Sequence, residues 1–385
     1  MRLTVPDIPK ALTSSAQLLS SVTAQEAIER VASFLAPGNV TVLTGAGVSV
    51  DSGIRAYRGK DGRYMNPNYK PIFYHELMDE TEKGVLYRKR YWLRSYLGYP
   101  SVRDSLPNPT HYGLAALQHT GIVPHIITQN VDGLHHKALA MSSLSPVRMH
   151  ESILELHGTL HRVRCKHGHI VDRDTFQDWL SEANPQWYSF AAEVENSGEA
   201  LRTNPDGDVA IEHLGVSYHE FVIPECPTCL SENRMNDVHK PDLVFFGESL
   251  PEEVRSRSFQ NVEQADKLLL IGTTLATYSA FRYIPPSPPP PPSLAQTQSK
   301  TDRLLKRAID LKKPVLMVNV GPSRADDVPG VEKLDISSGL IIRDVVRNVL
   351  GPRFEQDRVV EKMLKSGVVR PPPVGDDDRS PRAAG

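Results

Sequence analysis

Between Val40 and Gly53 the chain runs Val-Thr-Val-Leu-Thr and then breaks into Gly-Ala-Gly-Val-Ser-Val-Asp-Ser-Gly. A continuously apolar run such as Val40–Leu43 suits a strand buried on both faces, and a Gly-x-Gly turn directly after it lets backbone approach a phosphate closely. Val50 stands where the dinucleotide fingerprint would put a third glycine, so this segment alone reads equally as ligand cradle or tight turn. Three later runs repeat the design. Ile122–Thr128 ends in Gln129-Asn130-Val131-Asp132-Gly133, Lys267–Ile271 in Gly272-Thr273-Thr274, and Pro314–Val318 in Asn319-Val320-Gly321. Ligands of an open parallel sheet sit beyond the carboxyl ends of its strands. Four such ends carrying glycine, amide or hydroxyl residues predict an α/β fold: a Rossmann-like parallel sheet flanked by helices, with a nucleotide crevice.

Composition narrows the partners. A chain of 385 residues can bury a large core and has room for two or three domains. Its formal net charge of −2 gives no field toward nucleic acid or anionic lipid, so no sequence-specific nucleic-acid binding is expected. No run of 18 apolar residues exists, so no membrane insertion is expected. Three cysteines, an odd number, argue against a disulfide framework and for a reducing compartment. A monomer is expected.

Local signals set the first elements. Thr23 with Glu26 makes a capping box, and Ala27, Ile28, Val31, Phe34 and Leu35 form one apolar stripe, predicting a helix from Thr23 to about Ala36. The aromatic-rich stretch 65–109, with Tyr74, Tyr87, Tyr91, Trp92 and Tyr96, reads as a helical excursion whose aromatics are core. Residues 1–22 are Ser- and Thr-rich with Arg2, Lys10 and Asp7, and read as either a flexible leader or a transit peptide. The stretch 285–301 is a Pro-rich insertion, and a disordered tail is expected over 356–385, richest in Pro and Asp beyond Arg370.

Six ordered motifs resemble the sirtuins. Gly45-Ala46-Gly47-Val48-Ser49 with Ser52-Gly53-Ile54 and Tyr57-Arg58-Gly59 is similar to that family's opening motif. Thr128 to His135 is similar to the second and Glu155-Leu156-His157-Gly158 to the third. Lys240 to Glu248, Gly272-Thr273-Thr274-Leu275 and Asn319-Val320-Gly321 complete the set. The resemblance spans roughly Thr23 to Leu350, and Arg90-Tyr91-Trp92, Pro205-Asp206-Gly207-Asp208 and Tyr278-Ser279 look most like the class II, mitochondrial, sirtuin-four-like branch. It implies a catalytic domain over 23–355, with a large domain from 23–64, 110–160 and 238–355 and a zinc module over 161–237. It also implies a mitochondrial matrix address.

What the resemblance implies chemically is NAD-dependent protein-lysine deacylation, in which NAD is consumed and acyl-lysine proteins are the substrates. The alternatives are mono-ADP-ribosyl transfer and non-catalytic NAD binding. His157 is the implied general base, suited because histidine titrates near neutrality. Asn130 and Asp132 would meet the nicotinamide amide and its ribose, beside Gln129 and Val131. Gly45, Ala46, Gly47 and Ser49 would bring backbone amides to the pyrophosphate, with Gly53, Ile54, Tyr57 and Arg58 forming the loop over the nicotinamide. Gly272, Thr273 and Thr274 would hold phosphate and ribose, and Asn319, Val320 and Gly321 the adenosine end.

Two departures from the family pattern stand out. The cofactor loop reads Gly53-Ile54-Arg55-Ala56-Tyr57-Arg58, without the usual proline and aspartate, which removes a fixed φ. The zinc module has one C-x-x-C pair, Cys226 and Cys229, but its first pair reads Cys165-Lys166-His167-Gly168-His169. Zinc wants four ligands, so His169 or His167 would complete a set with Cys165, Cys226 and Cys229, or zinc has been lost. Gly168 favours His169 by letting the chain turn back on the metal.

Overall fold

The computed structural model describes residues 22–57, 72–197, 209, 217–275 and 304–372. Residues 1–21 of the leader, Arg58, Pro205–Asp208, Tyr278-Ser279 and the Pro-rich insertion lie outside the described residues.

Six parallel strands make the central sheet: β1 (Val40–Thr44), β2 (His125–Thr128), β3 (Ile153–Glu155), β7 (Lys267–Ile271), β8 (Val315–Val318) and β9 (Val331–Leu334), in the order β3-β2-β1-β7-β8-β9. The direction of winding reverses between β1 and β7, which pair from Val40 with Lys267 to Thr44 with Ile271. At such a switch point the loops after the two strands part and leave a crevice. Every residue of β1 is buried, the pattern of a strand covered on both faces. β2 begins at His125 rather than Ile122, because Pro124 has no N–H for the ladder.

Helices cover both faces. α1 (Ala24–Leu35) starts on the expected capping box, with the Thr23 hydroxyl accepting from the Glu26 amide and the Glu26 carboxylate accepting from the Thr23 amide. The stripe Ala27, Val31 and Leu35 joins Leu114, Leu117, Ile341 and Val345 in the larger core. The other face of the sheet packs Leu43, Leu268, Leu270 and Met317 against Leu304 and Leu305.

A smaller antiparallel sheet, β5 (Ile170–Asp172), β4 (Gly158–Cys165) and β6 (His239–Leu243), carries the cysteines. The aromatic excursion forms α2 (Glu82–Arg103), and its Tyr91, Trp92 and Tyr96 are buried with Val163, Phe176, Phe221 and Trp187 in a second core. These aromatics therefore fill space against the small sheet.

The tail differs from expectation. Residues 356–385 were expected to be disordered, yet a helix spans Arg358–Lys365 and buries Val360, Met363 and Leu364 in the main core. Asp357 caps it, its carboxylate accepting from the Val359 and Val360 amides at 2.9 and 3.2 Å. The apolar spacing at 360, 363 and 364 is helical and outweighs the polar composition around it.

Candidate active site

The loops after β1, β2 and β7 converge at the switch point. A 3-10 helix (Ala46–Ser52) follows β1, closed by Gly53 at φ +90. Gly47 donates its amide to the Gly272 carbonyl at 2.9 Å, and Gly45 donates to the Ile271 carbonyl at 3.1 Å. A Cβ at Gly45 would lie 2.8 Å from the Thr273 Cβ, and one at Gly47 would lie 2.7 Å from the Gly272 carbonyl oxygen. These glycines exist because two loops touch there. Both glycine amides serve this loop-to-loop contact.

Beside this contact lies a small pocket lined by Ala46, Ser49, Ile54, Tyr57, Gln129, Asn130, Val131 and Asp132. All eight were singled out from the sequence. Ser49 is the hub: its hydroxyl donates to Asp132 Oδ2 at 2.7 Å and accepts from Asn130 Nδ2 at 3.0 Å. With that proton committed to the carboxylate, His111 Nε2 at 3.4 Å must be a donor to Ser49. His111 Nδ1 then accepts from the Asn108 amide at 3.3 Å. Burial holds the His111 imidazole well below its ordinary pKa, so it is neutral, in keeping with this pattern.

Asp132 is 3% exposed, and burial pushes its carboxyl above the usual carboxylate range while the Leu134 amide and the Ser49 hydroxyl pull it back. Its main-chain carbonyl accepts from His161 Nε2 at 2.9 Å. Gly133, at φ +70, leaves room for that ring, since a Cβ there would sit 2.6 Å from His161 Nε2. Asn108, His111 and His161 were missed from sequence. The Asn108-Pro109 pair does carry a signal, an N-cap followed by proline at the first turn of α3 (Pro109–His119). His161 carries none.

His157 lies between β3 and β4, and its Nδ1 is 3.1 Å from the main-chain carbonyl of Gln129, a cavity-lining residue. Gln129 in turn donates its Nε2 to the Thr44 carbonyl at 3.2 Å and to the Thr273 hydroxyl at 2.8 Å, tying the ends of β1, β2 and β7 together. At the far end, Gly272 at φ +59 donates to the Val318 carbonyl. Asn319 turns its side-chain amide onto the Val320 and Gly321 carbonyls at 3.1 and 3.3 Å, shaping the loop after β8, from which Val320 projects 66% exposed. Arg55, where the family pattern has proline, is buried between the cavity-lining Ile54 and Tyr57. Among the cationic residues of α2, Arg88 donates to the Leu77 and Asp79 carbonyls and Arg94 to the Val209 carbonyl.

The lining suits the nicotinamide and ribose end of a dinucleotide. A carboxylate, a carboxamide and a hydroxyl are buried at one wall of the cavity, where ribose hydroxyls and a nicotinamide amide would find both donors and acceptors. The metal ligands fit as well. Cys165, His169, Cys226 and Cys229 present one donor atom each, all within 4.8 Å of one another. Zinc with bonds of about 2.3 Å to sulfur and about 2.0 Å to nitrogen sets tetrahedral edges of about 3.8 Å between sulfurs and about 3.5 Å between sulfur and nitrogen. The Cys165–Cys229 edge is 3.7 Å, and His169 Nδ1 lies 3.5, 3.6 and 3.3 Å from Cys165, Cys226 and Cys229. His169, not the exposed His167, completes the set, with Gly168 at φ +93 turning the chain as expected. Glu232 Oε1 stands 3.5 Å from His169 Nε2, the ring nitrogen that does not face the cysteines, where a carboxylate suits an N–H donor.

Among the described residues no helix is long and apolar enough to cross a membrane. Residues 45–279 match the model of the Sir2 family. The NAD-dependent protein deacylase SIR4 of Batrachochytrium dendrobatidis is 36% identical over 317 residues, covering 81% of this chain and 90% of that protein. The NAD-dependent protein deacylase SRT2 of Arabidopsis thaliana is 33% identical, covering 80% of this chain and 72% of that protein. A solved Sir2 homologue in complex with NAD shares the fold, with a TM-score of 0.53 at 22% identity over 83% of this chain and 93% of that chain. Relatives a third identical over four-fifths of the sequence, together with the match over residues 45–279, place the chain: it belongs to the Sir2 family, the sirtuins.

Proposed function

We propose that the protein is an NAD-dependent protein-lysine deacylase that releases nicotinamide and O-acyl-ADP-ribose. The observation that carries this reading is the His157–Gln129 bond. A carbonyl can only accept, so the imidazole proton sits on Nδ1 and the Nε2 lone pair is the basic one. Burial lowers the pKa of His157, so it is neutral and able to accept a proton at neutral pH. A base so fixed beside a crevice for a sugar nucleotide suits the deprotonation of a ribose hydroxyl.

The other residues orient. Ser49 holds the Asp132 carboxylate and the Asn130 carboxamide as one unit, so both present fixed polar atoms toward the cavity. Ile54 and Tyr57 wall the pocket on the loop side. NAD, as co-substrate, supplies the labile nicotinamide–ribose bond and the acyl acceptor. An acyl-lysine peptide would enter beside β6, where the Val244 amide donates to the His157 carbonyl at 3.0 Å, joining the substrate side to the base. The Cys₃His cluster would hold one structural zinc ion and keep the small sheet shaped without taking part in the chemistry.

The test is incubation of the full chain with labelled NAD and lysine peptides carrying acetyl, longer acyl, dicarboxylic acyl and lipoyl groups. The reading expects O-acyl-ADP-ribose from at least one of them, and loss of product in His157→Tyr with NAD still bound. Label retained on protein without O-acyl-ADP-ribose would assign mono-ADP-ribosyl transfer instead. No product and no label would leave an NAD-binding protein.

A further inference from the structure

Beyond the residues that match the family model, the chain turns back onto the cofactor loop. α4 (Ser338–Leu350) packs against α1 and α3, and α5 (Arg358–Lys365) then buries Val360, Met363 and Leu364 in the same core. Residues 366–370 cross from there to the active site. Arg343 donates to the Ser366 carbonyl at 2.9 Å, Val368 donates its amide to the Pro107 carbonyl at 3.1 Å, and Arg370 donates its amide to the Asp51 carbonyl at 2.7 Å. Gly367 makes the crossing possible. Its φ is +109, and a Cβ there would lie 2.7 Å from the Pro109 nitrogen and 2.8 Å from the Asn108 carbonyl carbon.

Asp51 belongs to the 3-10 helix Ala46–Ser52, whose last carbonyls have no partner within the helix. Short 3-10 turns are poorly bonded on their own. Asn108 grips the same helix, donating Nδ2 to the Val48 carbonyl at 2.7 Å and to the Ser52 hydroxyl at 3.0 Å. Residues 366–370 therefore reach this helix directly through Asp51 and indirectly through the Asn108-Pro109 backbone. On that helix sits Ser49, the hub of the cavity, and directly after it come Gly53 and Ile54. A Cβ at Gly53 would stand 3.4 Å from the Arg370 carbonyl oxygen.

We propose that the segment Ser366–Arg370 is a positioning strap for the cofactor loop. It holds the 3-10 helix and the Gly53-Ile54 turn in the geometry that NAD needs, in a loop where Arg55 replaces the φ-fixing proline of the family pattern. The strap touches neither reacting group and acts through Asp51 and Asn108. Its kinetic consequence rests on the deacylase reading, while its structural consequence does not.

Two variants test it: removal of residues 367–385, which leaves α5 with its Ser366 cap, and Gly367→Val in the full chain. Hydrogen exchange without NAD should quicken about tenfold at the Gly53 and Ile54 amides and stay unchanged in β7. The KM for NAD should rise about fivefold to tenfold while the KM for the acyl peptide stays within about twofold and zinc content is unchanged. If the truncated protein does not fold, Gly367→Val carries both readouts, because it leaves the buried face of α5 in place. Unchanged exchange and unchanged NAD KM would overturn the proposal, and so would a faster enzyme, which would mean the strap restrains the loop. Absence of any deacylation would defeat the functional reading alone, with the exchange result still deciding the strap.

Discussion

The His157 ring and the Gln129 main-chain carbonyl are joined at 3.1 Å, and this contact couples the third motif of the sequence to the second. Gln129 also bonds Thr44 and Thr273, so the imidazole is referenced to the ends of three strands at once. An orientation held this way leaves the base little freedom to turn from the crevice.

The pH dependence of the reaction should report that histidine. Burial lowers its pKa and the Gln129 bond partly restores it, the first effect being the larger. The kcat/KM limb that falls on acidification should therefore be centred below the ordinary value of about 6.5, with a plateau through neutrality. His157→Gln should cut kcat by about 10²- to 10⁴-fold with little change in NAD affinity. A limb centred above pH 7, or a variant with unchanged kcat, would remove His157 from this role.

Asp132 should show a conflict between stability and activity. Its folded pKa is raised, so the folded state disfavours the carboxylate, and that cost grows as pH rises through the unfolded value. Asp132→Asn should then melt at the same temperature or higher at pH 7.5, with the difference shrinking toward pH 4. The same variant should lose activity by about 10²-fold or more, because an amide cannot replace a charge set against the ribose. Parallel thermal and kinetic measurements check this, and a clear drop in melting temperature at pH 7.5 would contradict it.

Much of this site could be read from the chain because parallel-sheet topology gathers strand ends, and strand ends are visible as apolar runs stopping at Gly, Asn or Thr. The eight cavity residues come from two such ends, 44–57 and 129–132. What could not be read was which contact each group makes. Gly45 and Gly47 look like phosphate cradles in sequence, yet their amides bond Ile271 and Gly272, residues more than two hundred positions away. His161 carries no local signature, and the contact of His111 with Ser49 arises only when α3 is docked. The helix at Arg358–Lys365 was hidden by the polar residues around it, although its buried positions follow helical spacing.

The metal site makes a ligand-level prediction. Protein never exposed to chelator should hold one zinc per chain, with the metal lost in His169→Ala, retained in His169→Cys and unaffected by His167→Ala. Glu232→Ala should weaken zinc about 10-fold in a competition titration by removing the acceptor that faces His169 Nε2. Equal zinc retention in His169→Ala and His167→Ala would show that Nδ1 of His169 is not a ligand.

Gly47 and Gly38 separate close approach from backbone freedom. Gly38 has φ +78 and no atom within 4 Å of a Cβ position, so Gly38→Ala costs only backbone strain, about 1 kcal/mol, with activity retained. At Gly47 the obstacle is different. A methyl group would meet the Gly272 carbonyl oxygen at 2.7 Å and its Cα at 2.9 Å, both backbone atoms that cannot swing aside. Gly47→Ala must therefore push the loops after β1 and β7 apart, costing about 1–3 kcal/mol. It should also break the Gly47–Gly272 hydrogen bond and displace Ser49 from Asp132. Denaturant melts should find Gly47→Ala the less stable of the two, and kinetics should find it alone impaired. An active, stable Gly47→Ala protein would mean that the two loops are not in contact at this point.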